Sequence, residues 1–276
     1  MKVFAKAKVN LALDVVERDQ KGYHILDMIM APISLYDEVE VEIAKEDCVT
    51  CVGMELPEVN TVTKTLKMLR DNFAIKNKYA ITIHKNIPEQ AGLAGGSADA
   101  AAVMRAVCEM EGIEMEDEQA FQLSKTVGAD VPFCFYSRWA RVQGIGEIIR
   151  PISCNETLDI LLVKPDYGIS TPKSFGIWDE NPSDHVNVQM VQEALENGDF
   201  DSLCQCMDNA LEPIAKQIEP DLIQVAKDME EAGMNRVMMS GSGSTMMGFV
   251  KDKSVLESAR EILKKKYSFV EIVRVG

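Results

Sequence analysis

The run Pro88 to Ala102, PEQAGLAGGSADAAA, limits the fold more than any other stretch, because a glycine-rich loop passes straight into an alanine-rich helix. Gly92, Gly95 and Gly96 lack the Cβ atoms that hold a ligand off the backbone, and they permit turns that other residues resist. Ser97 has the chemistry of an N-cap, Asp99 is expected in the first turn, and Ala98 and Ala100 to Ala102 favour helix, so a helix is predicted to begin within a residue or two of Ser97. Free amides and the positive end of the helix dipole then face the loop, an arrangement that holds phosphoryl oxygens without a lysine. Composition alone is equally satisfied by a tight loop packed on a small-residue helix. Two common phosphate loops are excluded. A Walker A loop needs Lys then Ser or Thr after its last glycine, but Ser97 and Ala98 follow Gly96; the dinucleotide fingerprint needs glycines at its first, third and sixth places, which neither this loop nor Gly241 to Gly248 supplies.

A chain of 276 residues with 46% hydrophobic content has enough apolar material for one large domain or two moderate ones, and two lobes are expected. A formal charge of −15 speaks against a nucleic-acid surface. Lys264, Lys265 and Lys266 read as the solvated end of a helix that begins near Ser254. The 7 cysteines are odd in number and scattered, so free thiols in a reducing compartment are expected. Cys48 with Cys51 and Cys204 with Cys206 have ligand-like spacings, but no histidine lies near either pair, and thiols are preferred to zinc. Lysines before apolar residues between Met1 and Val16 imitate a signal peptide, yet Asn10 and Asp14 interrupt any apolar core. No run approaches the roughly eighteen apolar residues of a membrane span. A soluble, cytoplasmic protein is expected.

Alternation predicts strands over Glu38 to Ile43 and Tyr79 to His84. Helical spacing occurs at Val62, Leu66, Leu69 and Phe73, again after Ser97, and from Asp117 through Val127 with Gly128 as a stop. The character changes near Cys154 to Thr157, which suggests lobes over 1–153 and 154–276. The second lobe is predicted to hold a strand over Leu158 to Lys164, a loop with Pro165, Pro172 and Pro182, and helices around Val188 to Leu195 and Pro220 to Ala232. Strands near Thr245 to Val250 and Val270 to Val275 complete it. Strict βαβ alternation is missing, so the fold class is α+β with antiparallel sheet, its lobes packed about a cleft.

Four more segments, Ala7 to Leu13 (AKVNLAL), Lys21 to Leu26 (KGYHIL), Val127 to Phe133 (VGADVPF) and Met239 to Val250 (MSGSGSTMMGFV), stand in order with the glycine loop. Together the five segments resemble the superfamily of galactokinase, homoserine kinase, mevalonate kinase and phosphomevalonate kinase. The resemblance runs from residue 7 to residue 250. Within the superfamily it is strongest to the branch that phosphorylates a cytidine-diphosphate-linked methylerythritol in non-mevalonate isoprenoid synthesis. It implies a two-lobed small-molecule kinase, its N-terminal lobe resembling a ribosomal-protein fold and its C-terminal lobe ferredoxin-like.

The same resemblance assigns roles. Lys8 and Asp130 look like the catalytic pair: a carboxylate to accept a hydroxyl proton, and an ammonium to stabilise charge on the transferred group. ATP is implied over Pro88, Glu89, Gln90, Ala91, Gly92, Leu93, Ala94, Gly95, Gly96, Ser97 and Ala98, with Asn60 and Thr61 at the adenine. Asn60 also reads as a helix N-cap. Tyr23, His24 and Phe175 look like the cytidine contacts, Asn10 and Thr171 like contacts to the rest of the substrate, and Gly241 and Gly243 like a supporting loop. Mg²⁺ is expected with ATP, and Ser97 is its candidate protein contact. Ala94 and Ala98 depart from a common glycine and serine without removing a backbone donor. The implied partner is a small molecule with a cytidine diphosphate group, bound to a monomer or weak homodimer. The alternatives are a sister kinase acting on mevalonate, homoserine or a sugar, and a non-catalytic relative that binds RNA or protein.

Overall fold

The computed structural model describes residues 1–154 and 157–276. The first elements are β1 (Lys2–Arg18), β2 (His24–Ala44), β3 (Cys48–Cys51), α1 (Thr61–Asn72), β4 (Lys78–His84), α2 (Gly95–Glu111), α3 (Asp117–Ser124), α4 (Val131–Tyr136), β5 (Ala140–Gly144) and β6 (Ile148–Pro151). After them come β7 (Leu158–Lys164), α5 (Thr171–Glu180), α6 (Val188–Glu196), α7 (Phe200–Cys206), β8 (Asp208–Asn209), α8 (Glu212–Ile218) and α9 (Leu222–Glu231). The last are β9 (Arg236–Met239), β10 (Met246–Phe249), α10 (Lys253–Leu263) and β11 (Phe269–Val275). Asn155 and Glu156, within the change of character read near Cys154 to Thr157, lie outside the described residues.

The strands join in the order β3-β4-β2-β11-β7-β10-β9, with β1 and β5 also paired to β2 and β8 paired to β1. β11 runs antiparallel to the whole of β7 and touches β2 through Val275 and Ile33, so the C-terminal strand sews the two halves of the sheet together. The pairing is mostly antiparallel, as α+β requires, with β3 on β4 and β8 on β1 the parallel exceptions.

β1 and β2 form one long antiparallel ribbon, of which the sequence pattern showed only the tail, Glu38 to Ile43. The rest escaped because Lys8 to Val15 are buried on both faces, which erases the alternation that marks a half-exposed strand. Bulges between Lys6 and Lys8 and between Asn10 and Ala12 bracket a short piece of β1 that carries Lys8 and Asn10 on the same face.

Asn60 caps α1 as expected: its side chain accepts from the amides of Val62 and Thr63, and Thr63 returns a bond to the Asn60 amide. Ser97 is not the N-cap of α2. The helix starts at Gly95 behind Ala94, whose φ of 59° and lack of a capping side chain mark a backbone-made start. Ser97 therefore lies inside the first turn, and Asp99 lies beyond it, buried. The loop expected around Pro172 is instead α5, because proline is tolerated in the first helical turn, where its missing N–H costs no bond.

Candidate active site

Where β1, the glycine loop, α4, α5 and the β9–β10 turn meet, they enclose a cavity of about 620 Å³. Lys8 and Asn10 enter it from β1 and Asp130 from the start of α4. The Lys8 ammonium is buried; it donates to Asn10 Oδ1 at 2.8 Å and to the Gly92 carbonyl at 3.0 Å, and stands 3.8 Å from Asp130 Oδ2. Asp130 keeps 37% of its side-chain surface exposed, so its carboxylate remains open to the cavity. The sequence thus placed 122 residues apart two groups that the fold brings to ion-pair distance (130 − 8). The far end of α4 is secured by Arg105 of α2, whose guanidinium donates to the carbonyls of Cys134 at 2.9 Å and Phe135 at 3.2 Å.

The glycine loop is held almost entirely through backbone. Lys8 N–H donates to Leu93 O, Ser244 N–H to Gln90 O and Thr245 N–H to Ala91 O, while the hydroxyls of Ser240 and Thr61 donate to the carbonyls of Gly92 and Gly96. At Gly92, with φ of +72°, a Cβ would lie 2.0 Å from the Ser240 carbonyl oxygen, so only glycine fits. The amides of Gly95 and Gly96 have no protein partner among the described residues and stand at a helix N-terminus, the donor set that phosphoryl oxygens require. Pro88, Glu89, Gln90, Ala91, Gly92, Ala94, Gly95, Gly96 and Ser97 line the cavity, as do Asn60 and Thr61. Leu93 and Ala98 are in the core instead, where they anchor the loop from behind.

Thr171, Phe175, Gly241 and Gly243 line the opposite wall. The Thr171 and Ser242 hydroxyls are bonded at 2.7 Å, and Asn209 donates to both Met239 O and Gly241 O at 2.8 Å, which fixes the turn. Tyr23 and His24 do not line the cavity. Tyr23 is 55% exposed on the β1–β2 turn, and the His24 ring stacks behind Phe175 at 4.4 Å.

Lys85 was not singled out in the sequence, although a cation at the end of β4, three residues before Pro88, is a usable signal. Its ammonium lines the cavity and bridges Asp99 Oδ2, at 2.8 Å, to the fully buried Asp37. Burial works against its charge, but the two carboxylates hold its pKa above the usual lysine value. Two carboxylates face one ammonium, and Asp99 carries the imbalance: burial first, then the neighbouring Asp37, pushes it up to about 7 despite Lys85. Met54, Leu56, Ile83 and Ile87 supply an apolar wall that the sequence also left unmarked.

Family models for the GHMP kinases N-terminal domain and the GHMP kinases C-terminal region match residues 60–138 and 191–268. A protein of Clostridium perfringens (strain SM101 / Type A) named 4-diphosphocytidyl-2-C-methyl-D-erythritol kinase is 36% identical over 99% of this chain and 96% of its own length. A protein of the same name from Clostridium tetani is 34% identical over 99% of both. A crystal structure of 4-(cytidine 5'-diphospho)-2C-methyl-D-erythritol kinase superposes with a TM-score of 0.84 at 31% identity, covering 100% of this chain and 99% of that one. Homoserine kinase from Cytophaga hutchinsonii shares the fold alone, with a TM-score of 0.77 at 18% identity over 100% of this chain and 94% of its own.

Proposed function

This chain belongs to the GHMP kinases and, within them, to the 4-diphosphocytidyl-2-C-methyl-D-erythritol kinases, and from that premise we propose how its cavity serves an ATP-dependent kinase of non-mevalonate isoprenoid synthesis. The γ-phosphoryl group of ATP passes to the 2-hydroxyl of 4-diphosphocytidyl-2-C-methyl-D-erythritol, and ADP leaves. The observation that carries this reading is the approach of the Lys8 and Asp130 side chains to 3.8 Å beside unpartnered loop amides in one cavity.

The triphosphate lies against the amides of Gly95 and Gly96, with the adenine toward Asn60 and Thr61. Asp130 accepts the proton of the attacking hydroxyl, which raises that oxygen's nucleophilicity as it approaches phosphorus. Lys8 lies beside Asp130, where an ammonium opposes the negative charge that grows on the attacking and transferred oxygens. Little else is asked of the protein, because phosphoryl transfer depends chiefly on alignment and charge. Mg²⁺ supplies charge neutralisation and alignment of the phosphates when bound. Ser97, which lines the cavity, is the residue that would hold it, since hard oxygen donors with retained waters suit this ion.

On the acceptor side, Phe175 and Tyr23 offer ring faces to the pyrimidine and His24 a hydrogen-bonding edge, while Asn10 and Thr171 meet the rest of the substrate. The lobes divide near residue 153, with a ribosomal-protein-like first lobe and a ferredoxin-like second. The protein works in the cytoplasm as a monomer or weak homodimer. Identity above 30% over full length to relatives of one name favours this substrate over mevalonate, homoserine or a sugar, whose kinases resemble the chain only in fold. The test is ADP release by purified protein with Mg²⁺, ATP and the cytidine-linked alcohol, set beside mevalonate, homoserine and galactose. Turnover confined to the first substrate is expected; turnover of another, or of none, overturns the assignment.

A further inference from the structure

Asp179 lies on α5 with Thr171 and Phe175 at intervals of four residues, so all three occupy one side of the helix. Thr171 and Phe175 face the cavity, whereas Asp179 reaches the β1–β2 ribbon. Its Oδ1 is 2.7 Å from His24 Nε2, and its Oδ2 is 3.0 Å from an Arg18 guanidinium nitrogen. Arg18 and His24 are register partners at the turn end of the ribbon, and Arg18 Nε also donates to the Gly22 carbonyl. One carboxylate thus ties both strands of that ribbon to the helix that carries Phe175.

The His24 ring is held on one face, at one edge and at Nε2. Phe175 stacks on its face at 4.4 Å with planes 25° apart, and Trp178 meets it edge-on at 5.8 Å and 87°. Asp179 then takes Nε2. A carboxylate only accepts, so in the neutral imidazole the hydrogen is fixed on Nε2, and Nδ1, which has no partner among the described residues, is left as an acceptor.

We propose that Asp179 is a specificity-determining positioning residue, which locks the His24–Phe175 stack and the tautomer of His24 and so selects a base bearing an exocyclic amino group over one bearing a carbonyl. This rests on the reading that His24 and Phe175 form the nucleoside end of the substrate site. An Nδ1 acceptor satisfies the amino hydrogen of cytosine and repels the oxygen that uracil carries at the same place, and a site built for one polar partner rejects the other strongly. Asp179 touches no reacting atom and is not a catalytic residue.

The experiment compares the wild type with Asp179→Asn and Asp179→Ala, using cytidine- and uridine-linked forms of the substrate at saturating Mg·ATP. Replacement is expected to raise KM for the cytidine substrate and to cut the cytidine-over-uridine ratio of kcat/KM by about tenfold or more, with kcat and KM for ATP within about twofold. ¹⁵N-edited NMR of the imidazole nitrogens is expected to show His24 as the Nε2–H form in the wild type and a mixture in Asp179→Asn. This spectrum requires no turnover, so it separates the inference from the substrate assignment. A wild type that ignores the cytidine substrate ends the functional reading. Variants that keep both the base preference and the tautomer overturn the role of Asp179, and so does an equal loss of activity toward both substrates.

Discussion

The two walls of the cavity, proposed to hold the phosphoryl donor and the acceptor, are built on opposite plans. The proposed donor wall is backbone: a glycine loop whose carbonyls are clasped by β1, by Thr61 and by the β9–β10 turn. The proposed acceptor wall is side chains: Thr171 and Phe175 line the cavity, and His24 and Asp179 back Phe175 from outside it, between α5 and a ribbon more than a hundred residues earlier. Backbone donors fixed by their neighbours suit a triphosphate that every kinase of this kind must hold. Stacked rings held by a carboxylate suit the part that distinguishes one substrate from another.

The seam between the walls gives the largest expected effect. Asp130→Asn removes the proposed proton acceptor while keeping the shape, so kcat should fall by about a thousandfold with the ATP dissociation constant almost unchanged. Stopped-time assays and calorimetry read the two quantities, and near-normal turnover would take Asp130 out of the base role.

On the donor wall, Gly92→Ala forces a side chain into a left-handed backbone and against the Ser240 carbonyl. A stability loss of about 2–4 kcal/mol by urea unfolding is expected, with weakened ATP binding in the folded fraction. If the loop binds ATP as tightly as before, the backbone account of this wall fails.

The acceptor wall should respond differently. Tyr23→Ala is expected to raise KM for the cytidine substrate about tenfold and to spare both stability and ATP affinity, because the ring is exposed on a turn. Loss of ATP binding in this variant would erase the contrast between the walls.

The last effect is a pH dependence beneath the proposed donor wall. The carboxyl of Asp99 rises from 3.8 to about 7 on folding, through burial and then Asp37. A raised acid pKa means that the folded protein keeps a proton that the unfolded chain has released, so Asp99 makes stability fall as pH rises between about 4 and about 7. Asp99→Asn, read by thermal unfolding across this window, should flatten that slope; an unchanged slope would assign it to other groups.

Different parts of the site were legible to different degrees, for physical reasons. The glycine loop and its helix were plain, since glycine and alanine declare their backbone preferences locally, and Asn60 announced a cap by its own chemistry. α2 starts at Gly95, within the two residues of Ser97 that the sequence allowed, but its cap was misassigned because Ala94, in a left-handed conformation, does a job that the sequence assigns to Ser97. Lys85 was passed over because lysines are mostly solvated, and only the fold reveals the two carboxylates that bury it. Asp179 had no signal at all: a carboxylate in a helix acquires meaning only from the histidine that faces it.

The order of residues by itself determined a glycine loop opening a helix, a mixed architecture, the superfamily, and the identities of a lysine and an aspartate suited to phosphoryl transfer, because those features depend on local conformation and on motifs short enough to be read in line. Tertiary structure alone decided that Lys8 reaches Asp130, that the long ribbon is buried on both faces over its central stretch, that Leu93 and Ala98 turn inward, and that Asp179 meets His24. Such facts are distances between groups far apart in the chain, and they are fixed by how the sheet closes and which side chains fill it.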